Sequence, residues 1–253
     1  MLLFFLLFVF IKREPQVEKT AFIMGTPVRI QATGRKAEAL IDQAFAEMKR
    51  LEGMFNWKDP RSAINNVHPY DNPPKIKEII GLSNKIKKLS DGAFDINFAG
   101  QMNLGGIGKG YAVEAARQLL VQKGIKNGII DMRSTVAVVG KGRGVGWKIG
   151  IRDPREEGKI LGVVKLSNGE SLSTSGDYER GQHIIDPRDG KPAILCQSVT
   201  VIGTDAGETD ALSTAVFVLG PGQGLKLIEK LGLKVVIVDI NGKVYDNFGF
   251  KLR

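Results

Sequence analysis

The stretch Met102-Asn103-Leu104-Gly105-Gly106-Ile107-Gly108-Lys109-Gly110-Tyr111-Ala112 constrains this chain more than any other. Three glycines in four positions let the backbone turn tightly and come close to a neighbouring group. Ala112, Ala115, Ala116, Leu119 and Leu120 then recur on one face of a helix. A glycine-rich turn feeding a helix N-terminus presents main-chain N–H groups and the positive end of the helix dipole. Lys109 adds a charge beside it, so the stretch predicts an anion site. It is neither G-x-G-x-x-G nor G-x-x-x-x-G-K-[ST], so the common nucleotide motifs do not account for it.

Around this stretch the pattern predicts a single α+β unit. Residues 36–54 carry Leu40, Ile41, Ala44, Phe45, Met48 and Leu51 along one helical stripe, and residues 75–89 form a second amphipathic helix. Residues 56–74 read as a long polar loop, of a length that is usually functional. Residues 21–32 read as a strand interrupted at Gly25-Thr26-Pro27, after a polar linker over 14–19. From Gly128 onward Val- and Ile-rich segments predict strands over 128–139, 147–152, 162–166, 170–174 and 198–203. Gly140 to Gly146 lies between two of them with no helix following, and reads as a flexible hairpin turn rather than a phosphate loop. Residues 209–219 and 223–231 read as helical, and Asn241-Gly242 closes a last hairpin.

The formal charge of +9 favours polyanions, anionic membrane surfaces or phosphorylated ligands. No basic run is interleaved with aromatics, which argues against nucleic acid. The single cysteine, Cys196, excludes a disulfide framework within the chain and reads as a buried strand residue. Met1 to Ile11 is unbroken apolar sequence, shorter than the roughly 20 residues a membrane span needs. With Lys12-Arg13 behind it, this segment reads as a signal-like region or a truncated anchor. The expected division is therefore an N-terminal apolar segment and linker over 1–19, and a globular domain over 20–253. The domain is expected on the extracytoplasmic side of the cytoplasmic membrane.

Three polar stretches hold side chains suited to chemistry. Asp210 and Thr214 stand four residues apart, so a carboxylate and a hydroxyl project from one helix face. That oxygen pair suits a hard cation, and equally suits an ordinary acidic first helical turn. Ser173 to Arg180 crowds hydroxyls and charges at the end of a strand. His183 precedes the turn Asp186-Pro187-Arg188-Asp189-Gly190, and reads either as a structural histidine or as a group that moves a proton near neutral pH.

Taken in order, these pieces resemble the ApbE-like flavin transferases, the FAD:protein FMN transferases. The resemblance rests on Met24-Gly25-Thr26, Gly92-Ala93-Phe94-Asp95, Leu104 to Ala112, Thr174 to Arg180, His183 to Pro187 and Thr209 to Ala215. Each motif is weak alone, and the ordered set over about residues 20–235 is specific. It implies a T-fold-like α+β domain with mixed or antiparallel sheets and packed helices. It also implies cleavage of FAD in the presence of Mg2+, with FMN passing to a threonine hydroxyl of an acceptor protein and AMP released. Other outcomes of such a site are hydrolysis of FAD to FMN and AMP, or FAD binding without turnover. By position, Gly106, Asp210 and Thr214 would hold the metal, the glycine through its carbonyl. Met24, Asp95, Lys109, Ser175 and Asp177 would bind the flavin nucleotide, and His183 would be the general base. The implied acceptor is an extracytoplasmic or membrane electron-transport flavoprotein.

This chain departs from the family pattern at several points. Asn103 stands where the family usually has Asp, and the approach from Asp95 to Leu104 is short. Arg133-Ser134 replaces a Gly-Gly pair, and His68 stands where Asn is expected in the loop around Trp57 and Ser62.

Overall fold

Period-two alternation along the strands decides how this protein is layered. The computed structural model describes residues 14–253 apart from 69, 99, 143 and 178–180. The first half contains β1 (Gln16–Ile23), β2 (Thr26–Thr33), α1 (Ala37–Phe55), a 3-10 turn (Ala63–Asn66), α2 (Pro74–Leu89), β3 (Asn97–Phe98), β4 (Gln101–Met102) and α3 (Gly108–Gln122). The second half contains β5 (Gly128–Asp131), β6 (Thr135–Val139), β7 (Trp147–Arg152), β8 (Ile160–Leu166), β9 (Ser171–Gly176), β10 (Cys196–Gly203), α4 (Ala206–Lys230), β11 (Lys234–Asp239) and β12 (Val244–Asp246).

Eight strands form one sheet in the order β1-β2-β5-β6-β9-β10-β11-β12, antiparallel at every pairing. Successive side chains along a strand point to opposite faces. Ile130, Ala137, Val199, Val201, Val235 and Ile237 accordingly join one core, shared with α1, α3 and α4. Their neighbours Ile129, Val136, Val138, Val236 and Val238 point the other way, into a smaller core. The β7–β8 hairpin closes that second core with Ile151, Leu161, Val164 and Leu166. The α+β reading stands, with helices on one face of the sheet and a hairpin on the other.

Local chemistry explains most boundaries. In α1 the predicted stripe is buried and is extended by Phe55. Pro74 sits in the first turn of α2, where its missing N–H costs no hydrogen bond. Asp205 caps α4, accepting from the Glu208 amide at 2.8 Å. α4 is long and apolar enough to cross a membrane by length and composition, but most of it is core. It is also broken at Gly220, whose φ of 73° precedes Pro221, so the two predicted helices meet there at a kink.

Four expectations change. The break near residue 25 falls at Met24-Gly25, both with positive φ, which makes a two-residue hairpin loop and leaves Pro27 inside β2. β1 begins at Gln16, so part of the predicted linker is strand. The single strand predicted over 128–139 is two, because the chain reverses at Met132-Arg133-Ser134 with Arg133 at φ 63°. Gly140 to Gly146 is not a hairpin turn: β6 pairs with β5 and β9, and β7 with β8, so this loop crosses between layers. Arg143 within it, and the apolar segment Met1 to Ile11 with Lys12-Arg13, lie outside the described residues.

Candidate active site

The glycines of the central turn are there for space rather than for left-handed backbone. Gly105, Gly106, Gly108 and Gly110 are all absent from the positive-φ positions. A Cβ on Gly106 would lie 3.0 Å from Thr214 Oγ1 and 3.2 Å from Phe94. A Cβ on Gly110 would lie 2.2 Å from the Ala206 carbonyl oxygen and 2.5 Å from Asp210 Cβ. The turn and the start of α3 therefore press against the first turns of α4, which no side chain would allow. Asn103 shapes the approach, its Oδ1 accepting from the Gly105 amide at 2.8 Å.

This contact buries Asp210. The residue is 3% exposed, and its Oδ2 accepts from the Gly110 amide at 2.8 Å. Burial pushes its carboxyl above the ordinary aspartate range, while the Lys109 charge and the Gly110 amide pull the other way. The anion site predicted at the helix start is thus partly occupied by a carboxylate of the protein itself. One turn on, Thr214 reaches the same place. Its Oγ1 lies 3.0 Å from Ser175 Oγ, which also pairs with Ser213 Oγ at 2.8 Å.

These groups form the floor of a cleft of about 600 Å³, within the range of small-molecule sites. Gly106, Lys109, Asp210, Thr214, Ser175, Asp95 and His183 all line the cleft. Met132, Val136, Ile149, Ile151 and Leu172 supply an apolar wall where the sheet meets β7. Trp57 and Lys58 also line the cleft, with the Lys58 ammonium 5.4 Å from the Trp57 ring centroid. The loop that presents them is held by amides: Asn65 Nδ2 donates to the carbonyls of Trp57 and Asp59, each at 2.8 Å.

His183 follows a tight turn in which its Nδ1 lies 2.8 Å from the Gly181 carbonyl. If Nδ1 carries the proton, that bond leaves Nε2 with a free lone pair. Asp177 Oδ1 stands 3.5 Å from Nδ1 with no hydrogen-bond partner among the described residues, and burial pushes the Asp177 carboxyl above the ordinary aspartate range. Asp177 itself faces a second, smaller cavity of about 240 Å³ shared with Gln182, Cys196 and Gln197, not the main cleft. Met24 also stands apart from the cleft lining, its amide donating to Glu52 Oε1 at 2.5 Å. Asp95 reaches the cleft while pairing with Lys87 at 2.5 Å. Tyr178, Glu179 and Arg180 lie outside the described residues.

Eight residues were expected at a nucleotide and metal site besides the base His183. The cleft gathers Asp95, Gly106, Lys109, Ser175, Asp210 and Thr214 with His183, and leaves Met24 and Asp177 beyond its lining. Ser213, which pairs with Ser175, stood inside the Thr209 to Ala215 motif without an assigned role, and the Ile149/Ile151 wall carried no motif. The alternation in Trp147 to Arg152 was the one available sign of a two-faced strand there. No group of three or more His, Cys, Asp or Glu side chains gathers at a point among the described residues.

Known proteins share this arrangement of chain. The structure of an ApbE protein from Thermotoga maritima superposes with a TM-score of 0.83 at 27% identity, over 92% of this chain and 97% of that one. A flavinyl transferase ApbE from Pseudomonas stutzeri shares the fold, with a TM-score of 0.80 at 22% identity over 94% and 95% of the two chains. Among curated proteins, one named FAD:protein FMN transferase from Klebsiella pneumoniae is 31% identical, over 90% of this chain and 84% of its own length. Proteins of the same name from Rhodobacter capsulatus and Escherichia coli are 35% and 32% identical, over 80% and 56% of this chain. Those two matches span only 39% and 43% of the relatives' own lengths. The sequence profile of the ApbE family matches residues 24–103 and 97–237, which takes in every element that builds the cleft, and the chain belongs to that family.

Proposed function

We propose that this protein is an FAD:protein FMN transferase, moving FMN from FAD to a threonine hydroxyl of an acceptor protein. In this reaction the threonine oxygen forms a bond to the flavin-side phosphorus. The bond from that phosphorus to the bridging oxygen breaks, AMP leaves with that oxygen, and the hydroxyl proton is taken up by a base. One observation carries the reading: a single cleft holds the buried Asp210/Thr214 oxygen pair, the Lys109 cation and the His183 imidazole.

The residues fit a hard divalent cation such as Mg2+. Asp210 is a buried carboxylate with one oxygen committed to Gly110, and Thr214 places a hydroxyl beside Gly106, 3.0 Å from where a Cβ there would lie. A carboxylate, a hydroxyl and the Gly106 carbonyl are oxygen donors of the type such a cation takes, completed by water and substrate phosphates. When bound, it would offset the charge on the pyrophosphate oxygens as the phosphorus–oxygen bond breaks.

The protein's own groups do the remainder. Lys109 sets a positive charge beside the phosphates at the start of α3. Ser175 holds Thr214 and Ser213 in register at the floor. His183 accepts the threonine proton at Nε2, with Nδ1 held by the Gly181 carbonyl at 2.8 Å and Asp177 Oδ1 standing 3.5 Å from it. The apolar Met1 to Ile11 supports attachment to the cytoplasmic membrane with the domain outside, facing extracytoplasmic flavoprotein acceptors.

The test is acceptor labelling with FAD and Mg2+, with and without chelator, read as acceptor mass. An FMN-sized increment that disappears with chelator and in His183→Ala supports the reading, provided His183→Ala still binds FAD. Free FMN and AMP without acceptor would replace it with a pyrophosphatase, and tight FAD binding without any turnover would replace it with a carrier.

A further inference from the structure

Arg133 adopts a backbone conformation that glycine enters freely and arginine does not, with φ at 63°. The turn between β5 and β6 fixes it from both sides. The Arg133 amide donates to Asp131 Oδ1 at 2.9 Å, and the Ser134 amide donates to the Met132 carbonyl at 2.8 Å. The Ser134 carbonyl in turn accepts from the Thr174 amide at 2.8 Å, tying the turn to the strand that carries Ser175. Strained positions of this kind gather at functional sites, because elsewhere a glycine serves better.

What arginine adds over glycine is its side chain, and Arg133 is among the residues that line the cleft. Arg29, Arg50, Arg61, Arg117, Arg155 and Arg188 each pair with a carboxylate. Arg133 pairs with none among the described residues. Its sequence neighbour Asp131 is already engaged, Oδ1 by the Arg133 amide and Oδ2 by Arg29 at 3.1 Å. An exposed arginine on a strained backbone therefore lines the cleft with no carboxylate partner among the described residues. Lys109 approaches from α3, and Arg133 from the sheet.

We infer that Arg133 is a specificity residue of the cleft, binding a phosphate of a dinucleotide pyrophosphate through its guanidinium. The planar fork of an arginine suits two phosphate oxygens at once, which a lysine does not match. This assignment rests on the reading of the cleft as an FAD site. It makes the pyrophosphate, rather than the flavin ring alone, a determinant of which flavin is taken.

The experiment measures equilibrium binding to the full chain at fixed Mg2+, for wild type, Arg133→Gly, Arg133→Gln and Arg133→Lys. FAD and riboflavin are followed by flavin fluorescence, ADP and adenosine by calorimetry. Loss of one charged hydrogen-bonded contact is expected to weaken FAD and ADP about tenfold in the Gly and Gln variants. Riboflavin and adenosine should bind all four proteins alike, and Arg133→Lys should recover part of the loss. Equal FAD and ADP affinity in wild type and Arg133→Gly overturns the assignment. So does an equal weakening of adenosine and ADP, since that would make Arg133 a stacking surface for the base. Wild type that binds no FAD overturns the proposed function and this inference together, whereas wild-type binding matched by the variants overturns this inference alone.

Discussion

The amide of Gly110 donates to Oδ2 of Asp210 at 2.8 Å, across a helix contact so close that a Cβ on Gly110 would meet the Ala206 carbonyl at 2.2 Å. One hydrogen bond therefore joins the start of α3 to the first turns of α4, and the same bond fixes a carboxylate that lines the cleft. Helix packing and site construction are a single event here.

Gly110→Ala should for that reason damage the fold before it damages chemistry. The added methyl meets backbone oxygen and Asp210 Cβ rather than the tip of a flexible side chain. Overpacking of this kind costs about 1–3 kcal/mol, and backbone contact places it at the upper end. A domain of this size loses about 2–4 °C in Tm per kcal/mol, so calorimetry should show a fall of roughly 6–12 °C or no soluble protein. An unchanged Tm would mean that α3 and α4 are not packed as described.

Asp210→Asn separates the cation from the fold. The buried carboxylate is held above its usual range by desolvation, so removing its charge should leave the chelated protein at least as stable as wild type. Saturating Mg2+ should stabilise wild type, by about 2.7 kcal/mol at a hundredfold excess over the dissociation constant. Thermal melts with and without chelator should show that gain in wild type and none in Asp210→Asn. The same gain in both proteins would place the cation elsewhere.

Much of this was legible because helical and strand periods are written in the residues. The α1 stripe from Leu40 to Leu51 and the Val/Ile strands of the second half stand where the apolar periods put them. Asp210 and Thr214 were recognisable as a pair from their four-residue spacing, and the glycine turn from its composition. What the turn's glycines do was not legible. They relieve crowding against Thr214 and Ala206, partners a hundred residues away in the chain, and no local pattern carries that. The reversal at Arg133 was hidden for a related reason: apolar residues on both sides of Asp131 to Thr135 name strands but not their ends, and no glycine marked the turn. Met24 and Asp177 were placed at the site by family position alone, and the cleft closes without them in its lining.

Cys196 should behave as a silent thiol with a measurable pH signature. It is 3% exposed, and burial, with the nearby Asp239 charge, pushes it from 9.0 to about 12. The folded thiol stays neutral while the unfolded one ionises above 9.0, so the unfolded state gains as pH rises through that value. Its contribution is complete below pH 9.0 and is lost progressively between 9.0 and about 12. Denaturant melts at pH 8 and pH 10.5 should therefore show wild type losing more stability than Cys196→Ala, by up to about 1 kcal/mol per pH unit. A thiol reagent at pH 8 should label the native protein only as fast as it opens, and rapid labelling would contradict the buried position.

Arg133→Gly should move stability and binding in opposite directions, which no merely structural role for this residue would produce. Left-handed backbone costs a non-glycine residue about 1–2 kcal/mol, and glycine removes that cost. Glycine also raises the entropy of the unfolded chain, which returns roughly 0.5–1 kcal/mol. The balance leaves the variant about 0.5–1 kcal/mol more stable, or about 1–4 °C higher in Tm. The turn's hydrogen bonds run through main-chain atoms and the Asp131 side chain, so they survive the substitution. A melt of the ligand-free protein checks this beside the FAD titration. A variant that melts lower than wild type would show that the arginine side chain supports the turn, and the strain at φ 63° would then have a structural reason.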